Sequence, residues 1–162
     1  MVAVLMGVSG SGKTTIGKEL AAELGWTFVE GDDFHPAANV DKMAAGTALT
    51  DDDRRPWLRA LRERVDEACG RGENVVLACS ALKQDHRDRL EQGSPGCVRF
   101  VYLTGSEELI RSRLEAREGH FMDPDLIHSQ FEALEPPTDA VRVDVAPAPD
   151  EVAADIRRRL GL

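Results

Sequence analysis

Residues 7–14, GVSGSGKT, have the spacing G-x-x-x-x-G-K-[ST] of a phosphate-binding loop, or P-loop. The glycines allow a tight turn that brings successive backbone N–H groups close to phosphate oxygens. Lys13 supplies a positive charge for nucleotide phosphates, and the Thr14 hydroxyl can bind Mg²⁺. A helix beginning at Lys13 would direct the positive end of its dipole towards the same anion. The predicted phosphate-binding residues are Gly7, Val8, Ser9, Gly10, Ser11, Gly12, Lys13, Thr14 and Thr15.

The pattern around the P-loop predicts an α/β domain. The apolar residues 2–6 have the length of a strand, and Ile16, Leu20 and Leu24 follow the loop at helical spacing. This order favours a functional loop over a glycine-rich surface turn. The other strand patterns, which alternate with helix patterns, cover residues 27–30, 75–79, 98–103 and 141–145. The alternation predicts a parallel sheet with helices on both faces, in a single domain over residues 1–162.

Ligands of such sheets bind at the carboxyl ends of the strands, where the second predicted strand is followed by three polar residues. Asp32 is the best candidate for a general base, because a carboxylate just beyond a strand can orient and deprotonate a hydroxyl that attacks the γ-phosphate. Asp32 could also bind Mg²⁺ through water. Asp33 stays an alternative, since one residue's difference changes the direction of the side chain. His35 follows in the same loop.

Basic residues that could stabilise the charge of a phosphoryl transfer lie further along the chain. Arg113 and Arg117 are four residues apart and therefore share one face of a predicted helix. Near the γ-phosphate, such cations would offset developing charge; otherwise they form a solvated face paired with nearby glutamates. Gly119 suits a lid that closes over the site. The cations available for a carboxylate or polar acceptor are Lys42, Arg54, Lys83 and Arg87.

Two absences narrow the class of phosphate-binding protein. The third predicted strand ends in Cys79 and Ser80 without the acidic residue of a Walker B strand, and no later strand is followed by the guanine-reading motif N-K-x-D. A switch GTPase or a large motor ATPase therefore fits poorly. A small kinase that takes its metal-ordering carboxylate from the second strand fits better.

The composition limits partners and location. The net charge of −9 argues against a general nucleic-acid or membrane binder. The apolar runs are too short to cross a bilayer and no signal peptide precedes the first strand, so a cytoplasmic location is expected. Cys69, Cys79 and Cys97 are odd in number and lack C-x-x-C spacing, which favours reduced thiols over disulfides or a zinc site.

Several motifs together resemble the bacterial-type gluconokinases, whose fold is close to that of shikimate and nucleoside monophosphate kinases. The resemblance extends roughly from Gly7 to Pro136. Its pieces are GVSGSGKT at 7–14, GDDFHP at 31–36, DRRPWL at 53–58, CSALK at 79–83, and SQF at 129–131 with LE at 134–135. The P-loop alone is shared by a very large superfamily, whereas the later pieces in this order are much more specific.

The resemblance implies a P-loop NTPase fold of the nucleoside-monophosphate-kinase type. The implied fold has a five-stranded parallel sheet in the order 2-3-1-4-5, flanked by helices, and a lid at about residues 113–136. The implied reaction transfers the ATP γ-phosphate to the 6-hydroxyl of D-gluconate with Mg²⁺, in a homodimer. No nucleic-acid or membrane partner is expected.

The resemblance also implies roles for individual residues. Asp32, Lys13 and Arg117 form the expected catalytic set. Thr14 and Asp32 are the expected metal ligands, and Arg113 and Arg117 join the P-loop residues in binding ATP. The expected substrate-binding residues, with Arg54 as ligand of the substrate carboxylate, are Asp32, His35, Arg54, Lys83 and His120.

Two positions depart from the family pattern. His86 stands where an aromatic hydroxyl is expected, and Asp123 stands where proline is frequent. Neither is expected to touch the chemistry, although Asp123 could alter the motion of the lid. The nearest alternative function is a kinase for shikimate, a nucleoside monophosphate or adenylylsulfate. A regulator that binds ATP without transferring phosphate is the other alternative, and Asp32 argues against it because mere binding needs no base.

Overall fold

A computed structural model describes residues 1–116 and 124–162, without the side chains of residues 124 and 125. The strands are β1 (Val2–Met6), β2 (Thr27–Glu30), β3 (Val75–Ala78), β4 (Val98–Thr104) and β5 (Val141–Asp144), and a 3₁₀ helix covers Gly31–Phe34. The α-helices are α1 (Lys13–Leu24), α2 (Ala37–Ala44), α3 (Asp51–Arg71), α4 (Gln84–Glu91), α5 (Glu107–Glu115), α6 (Pro124–Ala133) and α7 (Pro149–Leu160). None of the helices in these ranges is both long and apolar enough to cross a membrane.

The strands form one parallel sheet in the order β2-β3-β1-β4-β5, so the predicted fold class is confirmed. Leu5 of the central strand β1 lies opposite Ala78 of β3 and Val101 of β4. Every residue of β1 is buried, because helices cover both faces of the sheet. The parallel order brings the carboxyl ends of β1, β2 and β3 to the same edge, where the predicted site residues follow them.

The core has one apolar layer on each face of the sheet. On one face, Leu5 belongs to a cluster with Ile16 of α1 and Ile156 of α7. On the other face, Met6 belongs to a cluster with Trp57 of α3. The adjacent residues Leu5 and Met6 point to opposite faces because side chains alternate along a strand. The two layers therefore hold β1, and the P-loop that follows it, from both sides.

A capping box fixes the start of α3, the helix that carries several predicted site residues. The Thr50 hydroxyl accepts a hydrogen bond from the Asp53 N–H at 3.2 Å, and the Asp53 carboxylate accepts one from the Thr50 N–H at 2.9 Å. Asp51 and Asp52 add negative charge at the positive end of the helix dipole. The capping box thus holds the first turn of α3 at the edge of the sheet.

The prediction of reduced thiols is wrong for two of the cysteines. Cys69 near the end of α3 and Cys97 just before β4 form a disulfide, with their Cα atoms 6.1 Å apart. They are 28 residues apart in the chain, so only the tertiary structure reveals the pairing. Cys79 is free and buried, and burial raises the pKa of its thiol to about 12. Cys79 is therefore a small core residue rather than a nucleophile.

Replacing Gly31 with alanine should lower the free energy of unfolding by about 2–3 kcal/mol. Gly31 is buried directly after β2, and an added Cβ would lie 2.3 Å from the Ala78 carbonyl oxygen of β3. That oxygen belongs to the backbone of the sheet and cannot move aside without disturbing β3. Urea unfolding followed by circular dichroism measures the loss.

The matched control is Gly70→Ala. A Cβ at Gly70 in α3 would meet nothing within 4 Å. Since alanine favours a helix more than glycine, this variant should raise the free energy of unfolding by about 0.5–1 kcal/mol. Equal unfolding midpoints for Gly31→Ala and the wild type would contradict the close approach of the two strands.

Candidate active site

A cavity of about 660 Å³ opens at the carboxyl edge of the sheet, where the strand order predicts a ligand site. Its wall combines polar residues from the P-loop, the end of β2, the start of α3, the segment after β3, and α6. They are Ser9, Lys13, Asp32, His35, Thr47, Thr50, Asp51, Arg54, Ser80, Lys83, His86, Ser129 and Gln130. A concave site with convergent polar groups among apolar walls is typical of small-molecule binding.

The P-loop has the shape that its motif predicts. Gly10 and Gly12 have φ values of 81° and 92°, a conformation that residues with a Cβ rarely adopt. α1 begins at Lys13, and no side chain among the described residues caps its N-terminus. Beside this N-terminus, Lys13 Nζ donates to the carbonyls of Gly7 and Val8 at 3.0 and 2.9 Å. Backbone N–H groups and a lysine thus converge where phosphates are expected to bind.

Gln130 of α6 clamps the P-loop, a contact that the sequence did not reveal. The Ser9 N–H donates to Gln130 Oε1 at 2.7 Å, and Gln130 Nε2 donates to Ser9 Oγ at 3.0 Å. Ile127, one turn earlier in α6, is buried in the same apolar cluster as Val8 and Leu114. The SQF motif was visible in the sequence, but the two partners are 121 residues apart. The clamp fixes α6 against the phosphate-binding end of the cavity.

Oxygen ligands suited to Mg²⁺ lie beside the start of α1. Thr14 Oγ1 donates to Glu30 Oε2, the last residue of β2, at 2.6 Å. Glu30 was missed in the sequence, although a carboxylate at the end of a strand beside the P-loop was a usable signal. Among residues 1–116 and 124–162, no three His, Cys, Asp or Glu side chains group closely enough to hold a metal. The hydroxyl of Thr14 and the carboxylate of Glu30 are oxygen donors of the kind that suits Mg²⁺, which is usually bound by one or two protein oxygens together with phosphate and water.

The structure separates the two candidate bases after β2. Asp32 lies in the cavity wall, and its side chain is 74% exposed to that space. Asp33 is exposed but does not line the cavity. The short 3₁₀ helix that begins at Gly31 turns the two carboxylates in different directions. Asp32 is thus the carboxylate in position to meet an acceptor hydroxyl.

His35 is held in the wall by aromatic stacking. Its ring lies 4.5 Å from the ring of Trp57 at an interplanar angle of 11°, and the Trp57 indole N–H donates to the Gly31 carbonyl at 2.8 Å. Burial lowers the pKa of His35, and Arg54 lowers it further, against the opposing effect of Asp32. Trp57 is buried in the core, and its stacking orients a residue of the cavity wall.

Two of the predicted acceptor-binding cations meet at one carboxylate. Lys83 Nζ lies 2.9 and 3.0 Å from the Asp51 oxygens, and Arg54 Nη1 lies 3.6 Å from Asp51 Oδ1. The hydrogen bond from Lys83 is the main cause that lowers the pKa of Asp51, and Arg54 adds to the effect. Asp51 thus holds both cations at the cavity wall.

The other two candidate cations have structural partners instead. Lys42 binds Asp53 at 2.8 Å, and this contact holds the pKa of Asp53 at about 2. Arg87 is buried and donates to the carbonyls of Ala81 and Leu82 at 3.0 and 3.1 Å. Ala81 has a φ of 40°, which is strained for a residue with a Cβ. Arg87 therefore stabilises the loop that presents Lys83 rather than lining the cavity itself.

The predicted lid residues are only partly within the described structure. Arg113 lies near the end of α5, where its Nη2 is 3.4 Å from the Ala146 carbonyl after β5, and it does not line the cavity. Arg117, Gly119, His120 and Asp123 lie outside the described residues. The roles predicted for these positions stay predictions.

His86 lies in the cavity wall, and the expectation that it does not touch the chemistry stays a prediction. His86 is the third residue of α4 and is 5% exposed. Since α4 begins directly after Lys83, its first turn faces the same space as the two cations. In the sequence, the position of His86 three residues after Lys83 was the signal that could have placed it beside this cation.

Known proteins resemble this chain in sequence and in fold. Residues 2–137 match the family described as "AAA domain". The thermosensitive gluconokinase of Escherichia coli K12 is 49% identical over 146 residues, which cover 88% of this chain and 78% of that protein. The crystal structure of a gluconokinase from Sinorhizobium meliloti 1021 aligns with a TM-score of 0.86 and 44% identity, covering 99% of this chain and 95% of the other.

A more distant structure shares the fold alone. Shikimate kinase from Aquifex aeolicus aligns with a TM-score of 0.62 and 17% identity, over 99% of this chain and 96% of the other. The fold is thus common to both groups, whereas the high identity is with gluconokinases. This chain belongs to the gluconokinase family.

Proposed function

We propose that this protein transfers the γ-phosphoryl group of ATP to the 6-hydroxyl of D-gluconate, giving 6-phospho-D-gluconate and ADP. Membership of the gluconokinase family supports the reaction and the acceptor. The observation that carries the proposal is the composition of the cavity wall. It combines a P-loop lysine, one carboxylate suited to a base, and the cation pair of Arg54 and Lys83, which suits an acceptor carboxylate.

The acceptor is held at its two ends. Arg54 offers a planar guanidinium to the gluconate carboxylate, and Lys83 adds a second positive charge. Gluconate presents a row of hydroxyls between its carboxylate and C6, for which His35 is a hydrogen-bonding partner. His120, outside the described residues, stays a predicted further contact. Holding both ends of the acceptor restricts the hydroxyl that can reach the γ-phosphate.

The transfer step needs one base and several fixed positive groups. Asp32 accepts the proton of the 6-hydroxyl while the hydroxyl oxygen forms a bond to the γ-phosphorus. The bond from that phosphorus to the bridging oxygen breaks, and its electron pair leaves with ADP. Lys13 and the P-loop N–H groups offset the charge of the phosphates throughout. Arg117 is the predicted second cation for this charge.

Mg²⁺ fits the oxygen ligands around Thr14. Thr14 would bind the ion through its hydroxyl, and Asp32 and Glu30 would hold it through water. When bound, the ion supplies positive charge to the β- and γ-phosphates. The 2.6 Å hydrogen bond to Glu30 already orients the Thr14 hydroxyl for this role.

Other predictions about this chain are not tested by the fold. The homodimer implied by the resemblance, the absence of nucleic-acid and membrane partners, and the cytoplasmic location stay predictions. The disulfide between Cys69 and Cys97 does not favour the expected cytoplasmic location, because disulfides are rare in cytosolic proteins.

A coupled assay of ADP release tests the proposed function. The purified protein receives ATP, Mg²⁺ and one acceptor at a time: D-gluconate, shikimate, related sugar acids or nucleoside monophosphates. Turnover should be confined to D-gluconate. Thermal stabilisation by ATP without turnover of gluconate would reject the proposal and leave a kinase for another acceptor or a nucleotide-binding regulator.

Asp32→Asn should lower kcat about 10²- to 10⁴-fold, because the amide cannot accept the proton of the 6-hydroxyl. The Kd for ATP, measured by calorimetry, should change little because the P-loop is intact. Asp33→Asn is the matched control, since Asp33 does not line the cavity, and its kcat should stay within about twofold of the wild type. Near wild-type turnover by Asp32→Asn would reject Asp32 as the base.

Arg54→Ala should raise the KM for gluconate about 10- to 100-fold, the usual effect of losing a hydrogen-bonded charged partner. The KM for ATP should stay within about twofold. Arg55→Ala serves as the control, because Arg55 is 65% exposed and paired with Asp52 away from the cavity. Steady-state kinetics with each substrate varied in turn measure both constants. An unchanged KM for gluconate in Arg54→Ala would remove Arg54 from the acceptor site.

A further inference from the structure

His86 has a buried ring nitrogen without a partner in the wall of the cavity. Its Nδ1 has no hydrogen-bond partner among the described residues. His35, the other histidine of the wall, differs because its ring stacks on Trp57 and its Nδ1 lies 3.2 Å from Asn39 Nδ2. Leaving a buried polar atom unpaired costs free energy, so such an atom in a binding cavity points to a missing partner.

The charges around His86 keep its ring neutral. Burial is the main cause that lowers the pKa of His86 to about 4, and the positive charges of Arg54 on α3 and Lys83 before α4 lower it further. Asp51 and Asp85 act in the opposite direction and are weaker. At neutral pH the ring therefore has one N–H donor and one bare nitrogen acceptor. A ring rotation of about 180° around χ2 exchanges the positions of Nδ1 and Cδ2, so Nδ1 can lie on either side of the ring.

A neutral imidazole matches an alcohol better than an anion. A hydroxyl is both donor and acceptor, whereas a carboxylate only accepts and needs cations. Arg54 and Lys83 already supply the cations in this wall. A polyhydroxy acid bound there by its carboxylate would bring the hydroxyls of its adjacent carbons next to the first turn of α4.

We propose that His86 is a specificity-determining residue, which hydrogen-bonds a hydroxyl of the acceptor near the carboxylate held by Arg54 and Lys83. This inference rests on the proposed function. An acceptor without that hydroxyl leaves the buried nitrogen unpaired and is rejected, as in other sites built around a substrate hydroxyl. His86 thereby selects among carboxylic acids of similar size, a discrimination that the cation pair alone does not provide.

The test compares variants that remove or retain a hydrogen-bonding group. His86→Phe keeps a flat ring but loses both nitrogens, whereas His86→Asn and His86→Gln each retain an amide near the place of one nitrogen. His86→Phe should raise the KM for gluconate about 10-fold or more, with the KM for ATP within about twofold. One of the two amide variants should recover most of the loss. His128→Phe is the control, because His128 is 59% exposed and does not line the cavity.

Substrate analogues give a second readout. Gluconate analogues that each lack one hydroxyl between C2 and C5 are compared by kcat/KM. The wild type should discriminate against one analogue at least about 10-fold more strongly than His86→Phe does, because both changes remove the same hydrogen bond. Equal discrimination by the two enzymes, or a loss that neither amide variant recovers, would assign His86 to packing and overturn the proposal.

A measurement on the wild type covers the case in which the variants do not fold. Long-range ¹H–¹⁵N correlation spectra record the ring nitrogens of His86 with and without gluconate. One ring nitrogen should shift on saturation with gluconate and stay unchanged with ATP alone; no shift would overturn the proposal. If the wild type does not phosphorylate gluconate, the proposed function is rejected and this inference falls with it. Normal turnover with an unaffected His86→Phe rejects this inference alone.

Discussion

The parallel pairing of β1 with β3 is the constraint on which the site depends. The strands align Leu5 with Ala78, and the pairing continues beyond them through hydrogen bonds from the Cys79 N–H to the Leu5 carbonyl and from the Gly7 N–H to the Ser80 carbonyl, at 3.1 and 3.2 Å. The P-loop thus leaves the sheet beside the loop that presents Lys83. A phosphate-binding segment and an acceptor-binding segment meet because their strands end together.

An acidic protein that binds two anionic substrates must concentrate its positive charge locally. The chain has a net charge of −9, so the average field opposes such ligands. In the cavity, Asp51 forms ion pairs with Lys83 and Arg54, and these contacts orient the two side chains before an acceptor binds. Less conformational freedom is then lost on binding. In the proposed acceptor site, a substrate carboxylate would compete with Asp51, which is 66% exposed and can be solvated by water when it loses these partners.

Helix α6 connects the two halves of the cavity. Gln130 clamps Ser9 in the P-loop, while the Glu135 carboxylate, just beyond the helix, accepts a hydrogen bond from the Gln84 N–H at 2.7 Å. The Glu135 N–H also donates to the Leu82 carbonyl at 2.9 Å. The segment after the predicted lid is therefore attached to both the phosphate side and the acceptor side. A movement of this segment would change both the phosphate side and the acceptor side of the cavity. Such a coupled movement allows a kinase to exclude water during phosphoryl transfer.

Local patterns in the sequence determined the fold class, the P-loop and most of the candidate site. Strand and helix signals depend on periodicities of a few residues, and the ends of parallel strands converge by rule, so Lys13, Asp32 and Lys83 could be placed together without coordinates. Arg54 was assigned to the same site only by the resemblance to a known family. The predicted start of α1 at Lys13 was also correct.

Only the tertiary structure decided the contacts between segments distant in the chain. The Cys69–Cys97 disulfide, the clamp of Gln130 on Ser9, the hydrogen bond of Thr14 to Glu30 and the position of His86 in the cavity wall all depend on packing. That Asp32 lines the cavity and Asp33 does not depends on the turn of a single 3₁₀ helix. Sequence periodicity specifies which face of an element is buried, but the partner of each side chain follows from how complete elements pack against one another.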